Sequence, residues 1–491
     1  MAQHGWFDFL RRGRPEAAAP VQGLVLSGGG SRVSFQLGAL DYLYGHDVIA
    51  PSRIVGTSGG AIVATVLAQS LEVAEQAAAL AELDAAWMGM TSAADMFVEQ
   101  AWFTRLRQEA GDLKSLLPAP DPREPATTSE AEPVPAKPGA KTEGSARSAG
   151  PKAPAAADAE ALIRAAMEDD PSEAADWSVS QVWQMLSVLP RIGRVTPTLA
   201  SAVRGAGLAQ SMFRPGPIVT RLLYEGSFEV ERVRTSGVEL RIAMVGLNSG
   251  DLHFMCQDGR LVDRENAPLG EGVYELALGV WASCAIPGVF RPVEFAGEVY
   301  VDGGVREHVP VEMAVSHLGV THPYVIVASP PGVERADYAG RDIVSSVLRA
   351  NTLTSDEAMG DEVEWARGAG AVVIDPQVNV HDSMTVEPGL LWLNHDYGYM
   401  RAAEEITGAT ESARQRTRDL VQARVRAWHL AAALAADEAG APSTLGQIRG
   451  TAPAMAPTEA APDAAAELAD LTRQIHELVA ATDPALLPPG A

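Results

Sequence analysis

Apolar residues run from Val21 to Leu26, stop at Gly28-Gly29-Gly30, and resume at helical spacing through Leu40 and Leu43. That pattern predicts a strand, a tight glycine loop and a helix. The unit recurs at once: Arg53-Ile54-Val55 reads as a short strand, Gly56 to Gly60 as a turn, and Ala61 to Leu71 as a helix apolar enough for burial. Two such units in succession predict an α/β fold with a parallel sheet. Val238 to Val245 and Leu252 to Met255 read as strands joined through Asn248-Ser249-Gly250-Asp251, with a helix from about Val273 to Cys284 after them. Val293 to Phe295 and Val299 to Val301, separated by Ala296-Gly297-Glu298, predict a hairpin that feeds Asp302 into a glycine turn. Tyr324 to Ala328 and Ala371 to Ile374 are further apolar strands, and helices are expected from Asp342 to Gly368 and from Tyr397 to about Ala436.

Between these elements the pattern fails in two places. From about 118 to 171 the chain is rich in Pro, Ala, Glu, Lys, Ser and Thr, with almost nothing aromatic or β-branched to bury, which predicts a disordered insertion with order returning near Trp177. A Pro-Ala-Thr tract, 438–463, reads as a linker to a last amphipathic helix within 464–491, from Ala464 to about Val479. The expected organisation is an N-terminal tail (1–20), a main domain (21–330) carrying the insertion, a strand and helices packed on it (331–437), the linker and the terminal helix.

Composition narrows the function. A formal net charge of -25 excludes a general nucleic-acid binder, whose affinity comes from clustered Lys and Arg on phosphates. It also disfavours adsorption to anionic membranes. Against that background, Arg194, Arg204, Arg214, Arg221, Arg232 and Arg234 interleave with Leu208, Met212, Phe213, Leu222 and Leu223. This stretch is either a face for lipid headgroups or a solvated helical face. Cys256 and Cys284 lack metal-ligand spacing and read as small core residues. The residues from Met1 to Arg12 place charge after a very short apolar patch, the wrong order for a secretion signal. No apolar run is long enough to span a bilayer. A cytoplasmic protein meeting membranes at most peripherally is expected.

Three motifs carry candidate chemistry. Gly56-Thr57-Ser58-Gly59-Gly60 is a G-x-S-x-G pattern between a strand and an apolar helix. Glycines there permit the strained turn that exposes a serine hydroxyl, and the helix start favours negative charge on a reacting oxygen. Gly28-Gly29-Gly30-Ser31-Arg32 also lies between strand and helix, and its successive N–H groups suit an anion, either a phosphate or an acyl-transfer oxyanion. A dinucleotide fingerprint would need glycine where Val33 stands. Val301-Asp302-Gly303-Gly304 places a carboxylate at a strand end, which alone is a plain turn.

In this order, and with Ala282-Ser283-Cys284-Ala285-Ile286-Pro287 ahead of the aspartate, the motifs resemble the patatin-like phospholipase family over roughly Val21 to Ser329. The resemblance implies a three-layer α/β fold, a central mostly parallel sheet flanked by helices, with a Ser-Asp dyad and no histidine. Ser58 would be the nucleophile and Asp302 its base, hydrolysing lipid esters through an acyl-serine without metal or organic cofactor. The N–H groups of Gly28, Gly29 and Gly30 would hold the oxyanion, each well-aimed donor worth roughly 3 kcal/mol of barrier. Arg32, Gly56, Gly60, Gly303 and Gly304 would be supporting residues. Two departures stand out: Val33 replaces the usual glycine, and His308 stands where the family often carries Asn. His308 is thus either a prop for its loop or the base of a Ser-His-Asp triad. A catalytically silent lipid-binding scaffold is the alternative from outside enzymology.

Overall fold

The computed structural model describes residues 20–101, 103–104, 211–224, 228–332, 343–438 and 464–490. The expected N-terminal tail, the 118–171 insertion, the return of order at Trp177, the linker and the arginines before Arg214 lie outside the described residues. Residues 20–98 and 211–490 belong to one compact unit, and Glu99 opens a second, of which little is described.

Each expected strand and helix has a counterpart, and further short elements stand between them. The elements are β1 (Gln22–Leu26), α1 (Val33–Gly45), β2 (Arg53–Thr57), α2 (Gly59–Leu67), α3 (Val73–Met88), β3 (Phe97–Glu99), β4 (Phe213–Pro215), α4 (Pro217–Tyr224) and α5 (Val230–Thr235). Then come β5 (Glu239–Gly246), β6 (Leu252–Cys256), β7 (Arg260–Val262), β8 (Pro268–Val273), α6 (Leu276–Cys284), β9 (Val293–Phe295) and β10 (Glu298–Asp302). The chain continues through β11 (His322–Ile326), α7 (Ile343–Gly368), β12 (Val372–Ile374), α8 (Pro388–Thr407), α9 (Glu411–Glu438) and α10 (Ala464–Ala481). No described helix is long and apolar enough to cross a membrane.

The central sheet is mixed. Strands β12, β11, β1, β2 and β5 run parallel, while β6, β7 and β8 extend it antiparallel through short turns, and β10 and β9 add antiparallel to β5. The parallel sheet expected from the first two units is therefore one half of it. The other half is built of hairpins, which need no crossover.

Alternation along the strands divides the core in two. Leu24, Leu26, Ile54, Leu240 and Ile242 face the layer of α1, α2, α6 and α8. Val25, Val55, Ala243 and Val245 face the layer that includes Met359, Val363 and Ala366 of α7. This is the period-two signature of a sheet covered on both faces. Helix α1 is buried on nearly every side, as expected of a helix apolar all round. Its contact with α8 is close because both helices carry glycine at the crossing. A Cβ at Gly38 would lie 1.9 Å from the His395 carbonyl oxygen, and one at Gly398 would lie 2.0 Å from that of Phe35.

Two C-terminal expectations need correction. The helix expected from Tyr397 begins at Pro388 and is broken at Gly408, whose left-handed backbone (φ 66) caps α8 before α9 starts. The terminal helix is not held apart from the body: α10 packs along α9, with an Arg426–Glu467 ion pair, and the turn at Pro484–Leu486 packs on α8.

Candidate active site

The sheet itself brings Ser58 and Asp302 together. Strand β5 pairs along one edge with β6; along the other it pairs first with β2, up to Thr57 opposite Ala243, and then with β10, whose Asp302 lies opposite Met244. Strands β2 and β10 thus meet end to end on one edge of β5. The residue after β2 and the last residue of β10 are neighbours by register, though 244 positions separate them in sequence.

Ser58 occupies the turn from β2 into α2 with φ 54 and ψ -129. A left-handed backbone at a residue with a side chain carries strain of about 1–3 kcal/mol, held only where the surroundings over-determine it. Here they do. The Ser58 N–H donates to Ser283 Oγ at 2.9 Å, and the Ser58 carbonyl accepts from Cys284 Sγ and from the Ala61 N–H. Close approach excludes side chains around it, since a Cβ at Gly56 would meet the Gly60 carbonyl at 2.6 Å and one at Gly60 the Ser27 carbonyl at 2.5 Å. Val33 packs against Gly59, where a Cβ would strike its Cγ2 at 2.5 Å.

The same Ala282–Pro287 segment reaches Asp302, whose N–H donates to the Ala285 carbonyl. It ties Ser58 and Asp302 to each other, a contact the sequence marked as a motif without explaining. Asp302 is buried, and one carboxylate oxygen accepts from the Gly304 N–H at 2.8 Å. Gly303 is packed on Ala243, leaving no room for a Cβ. Burial pushes the Asp302 carboxyl up to about 7, partly offset by the Ser58 hydroxyl and the Gly304 N–H. The Ser58 hydroxyl is near enough to stabilise the carboxylate, yet Oδ2 has no hydrogen bond of regular geometry. Loose contacts of this kind are common before substrate binds.

The glycine loop is pinned from several sides. Ser27 bonds to the Ala328 N–H through its hydroxyl, Gly29 abuts Ala328, and Gly30 (φ +56) lies against the Ser383 carbonyl. The Gly28 N–H donates to the His308 carbonyl at 3.2 Å. Of the three expected oxyanion donors, then, Gly28 is engaged, whereas the Gly29 and Gly30 N–H groups have no partner among the described residues.

Arg32 ties this loop to a distant segment. Its guanidinium donates to the His381 carbonyl (2.6 Å), Ser329 Oγ (2.8 Å) and Asn379 Oδ1 (3.1 Å), while the Ser31 N–H donates to the Ser383 carbonyl (2.9 Å). These bonds set Arg32 between the glycine loop and the 379–383 segment. Its partners at 379–383 were missed, because a polar loop some 350 residues away carries no local signal.

Residues 24–315 match the family model described as Patatin-like phospholipase. The chain belongs to the patatin-like phospholipase family. Among solved structures it resembles VipD from Legionella pneumophila, with 14% identity, TM-score 0.32, and coverage of 96% of this chain and 89% of that one. It also resembles full-length ExoU in complex with SpcU from Pseudomonas aeruginosa, with 14% identity, TM-score 0.21, and coverage of 95% and 69%. No match was found among curated proteins. A patatin-like phospholipase acts in general terms on lipid esters.

His308, the departure from the patatin-like pattern, stands beside the dyad without bonding to it. Burial and the nearby Arg32 charge hold its imidazole neutral, down at about 4. Its backbone is fixed at both ends, the carbonyl by Gly28 and the N–H by Glu362 Oε1 at 3.2 Å. With no hydrogen bond to Ser58 Oγ, and so weak a base, His308 lacks the geometry of a triad base. Of the arginines, Arg232 pairs with Glu75 and Arg234 with Glu231, while Arg214 and Arg221 are exposed and Leu222 is buried. Cys256 and Cys284 are buried and unpaired by disulfide.

Proposed function

We propose that this protein is a phospholipid or lysophospholipid acyl hydrolase working through an acyl-Ser58 intermediate, with Asp302 as its only proton carrier. The observation that carries the reading is the strained Ser58 turn held against a buried carboxyl that is raised to about 7. A carboxylate of ordinary basicity is a poor match for a serine hydroxyl; one raised toward neutral pH takes the proton more readily and still ionises there. As Oγ attacks the ester carbonyl, its proton passes to Asp302. The oxyanion forms beside the open Gly29 and Gly30 N–H groups, and Asp302 returns the proton to the leaving alcohol. Water then releases the fatty acid with Asp302 again as base. We further propose that the working body extends beyond 330 through α8, since the segment at 379–383 holds Arg32.

The test is fluorophosphonate labelling of wild type, Ser58→Ala and Asp302→Ala, followed by fatty-acid release from phosphatidylcholine vesicles. Wild type should label and hydrolyse; Ser58→Ala should lose both, and Asp302→Ala should lose at least about 10³-fold in turnover. A folded wild-type protein that binds vesicles but neither labels nor hydrolyses would sink the reading in favour of a silent scaffold.

A further inference from the structure

The His308 ring borders both Gly28, next to Ser58, and Gly304, next to Asp302. A Cβ placed on Gly28 would be 3.1 Å from His308 Nδ1 and 3.2 Å from Ser58 Cβ, so Nδ1 and Ser58 both border the space over Gly28. One placed on Gly304 would be 3.0 Å from His308 Nε2 and 3.1 Å from Asp302 Oδ1, so the opposite ring nitrogen faces the base. Two polar atoms here are shut off from solvent with no regular partner among the described residues: His308 Nδ1 and Asp302 Oδ2. Buried polar atoms are nearly always satisfied, by protein or by an ordered water. Nδ1 borders the space over Gly28 next to Ser58, the Ser58 hydroxyl is near the Asp302 carboxylate, and the ring is held in place by the two backbone bonds of His308.

We propose that His308 Nδ1 and Asp302 Oδ2 together bind the water that hydrolyses the acyl-enzyme. The proposal rests on the dyad reading and adds a residue to it. The water gives one hydrogen to Oδ2 and the other to Nδ1, which turns its lone pair toward the acyl carbon. Its oxygen bonds to that carbon while one proton passes to Asp302. The tetrahedral adduct collapses as the carbon–Oγ bond breaks, and Asp302 returns the proton to Ser58 Oγ. The fatty acid leaves, and the imidazole neither gains nor loses a proton. Neutrality is what this role needs, since a charged ring has no acceptor to offer, and burial beside Arg32 keeps the ring neutral.

An Asn amide oxygen reaches about as far as Nδ1 and a Gln amide oxygen about as far as Nε2, so the two substitutions separate the ring nitrogens. With p-nitrophenyl butyrate in stopped flow, the burst reports acylation and the steady phase deacylation. Intact mass follows acyl-Ser58. His308→Ala and His308→Gln should acylate within about twofold of wild type, deacylate about 10- to 100-fold more slowly, and accumulate acyl-enzyme. His308→Asn should deacylate within about threefold of wild type. Wild-type deacylation in all three variants, a Gln variant that outperforms Asn, or equal loss in both phases would overturn the proposal, the last marking His308 as mere loop support. A wild-type protein that never acquires the acyl mass instead refutes the dyad, a separate result. Melting curves of each variant identify misfolding, and the Asn–Gln contrast stands if Ala fails to fold.

Discussion

With Asp302 as the proposed base, activity and stability should depend on pH in opposite directions. The base must be ionised to take the Ser58 proton, so kcat/KM for a neutral ester should fall about tenfold per pH unit below about 7 and level off above it. Stability runs the other way. The folded carboxyl holds its proton up to about 7, whereas the unfolded one releases it near 3.8. Between those values the native state binds more protons, so this contribution is fully present below about 3.8 and is lost as pH rises through about 7. Its upper bound is on the order of 4 kcal/mol. Asp302→Asn keeps an acceptor for the Gly304 N–H and should melt higher than wild type at pH 8, with the gap closing toward pH 4. An Asn variant that melts no higher at pH 8 removes the claim. Ser58 and Asp302 stand out in the sequence because glycines flank the first and follow the second, and those glycines allow close approach of the backbone. His308 was legible only as a departure: no spacing rule says that its ring bridges the gap between Gly28 and Gly304.

Strands β1, β2, β5, β6 and β9 to β12 were read to within about two residues, because apolar runs between turn residues have few other uses, whereas the short β3, β4, β7 and β8 were not read at all. What pattern could not supply was the pairing. That β2 and β10 abut on one edge of β5 depends on β5 carrying β6 on its other edge, a fact about three strands at once. The glycines at helix crossings were equally opaque, since Gly38 and Gly398 sit inside helices, where glycine reads only as a weakness of about 1 kcal/mol. In the fold each faces a carbonyl of the partner helix at a distance no Cβ tolerates. Gly398→Ala should therefore destabilise the protein, by about 1–3 kcal/mol from overpacking, rather than stabilise it as helix propensity alone predicts. Urea melts decide this: a raised midpoint would mean that α1 and α8 can separate at no cost.

The family match ends at 315, but the sheet and the helices packed on it do not. Beyond it β11 pairs β1 directly, β12 pairs β11, α7 covers one face of the sheet, and α8 covers α1. A chain cut at 330 would leave Phe35 without Tyr397 and Tyr42 without Tyr399, and would free Arg32 of its bonds to His381 and Asn379. Helix α1 follows directly from the loop that presents the Gly29 and Gly30 donors, so losing α8 should damage catalysis as well as stability. We expect a fragment of residues 21–330 to lack a cooperative melt and to take no fluorophosphonate label, while a fragment ending at 438 melts cooperatively and labels. The tyrosines of α8 stand where the sequence predicted only its C-terminal half, which is why a boundary at 330 looked natural from the motifs alone. If the shorter fragment labels at the full-length rate, Arg32 and its distant partners are ornament to the glycine loop, and the catalytic unit is the smaller one that the motifs delimit.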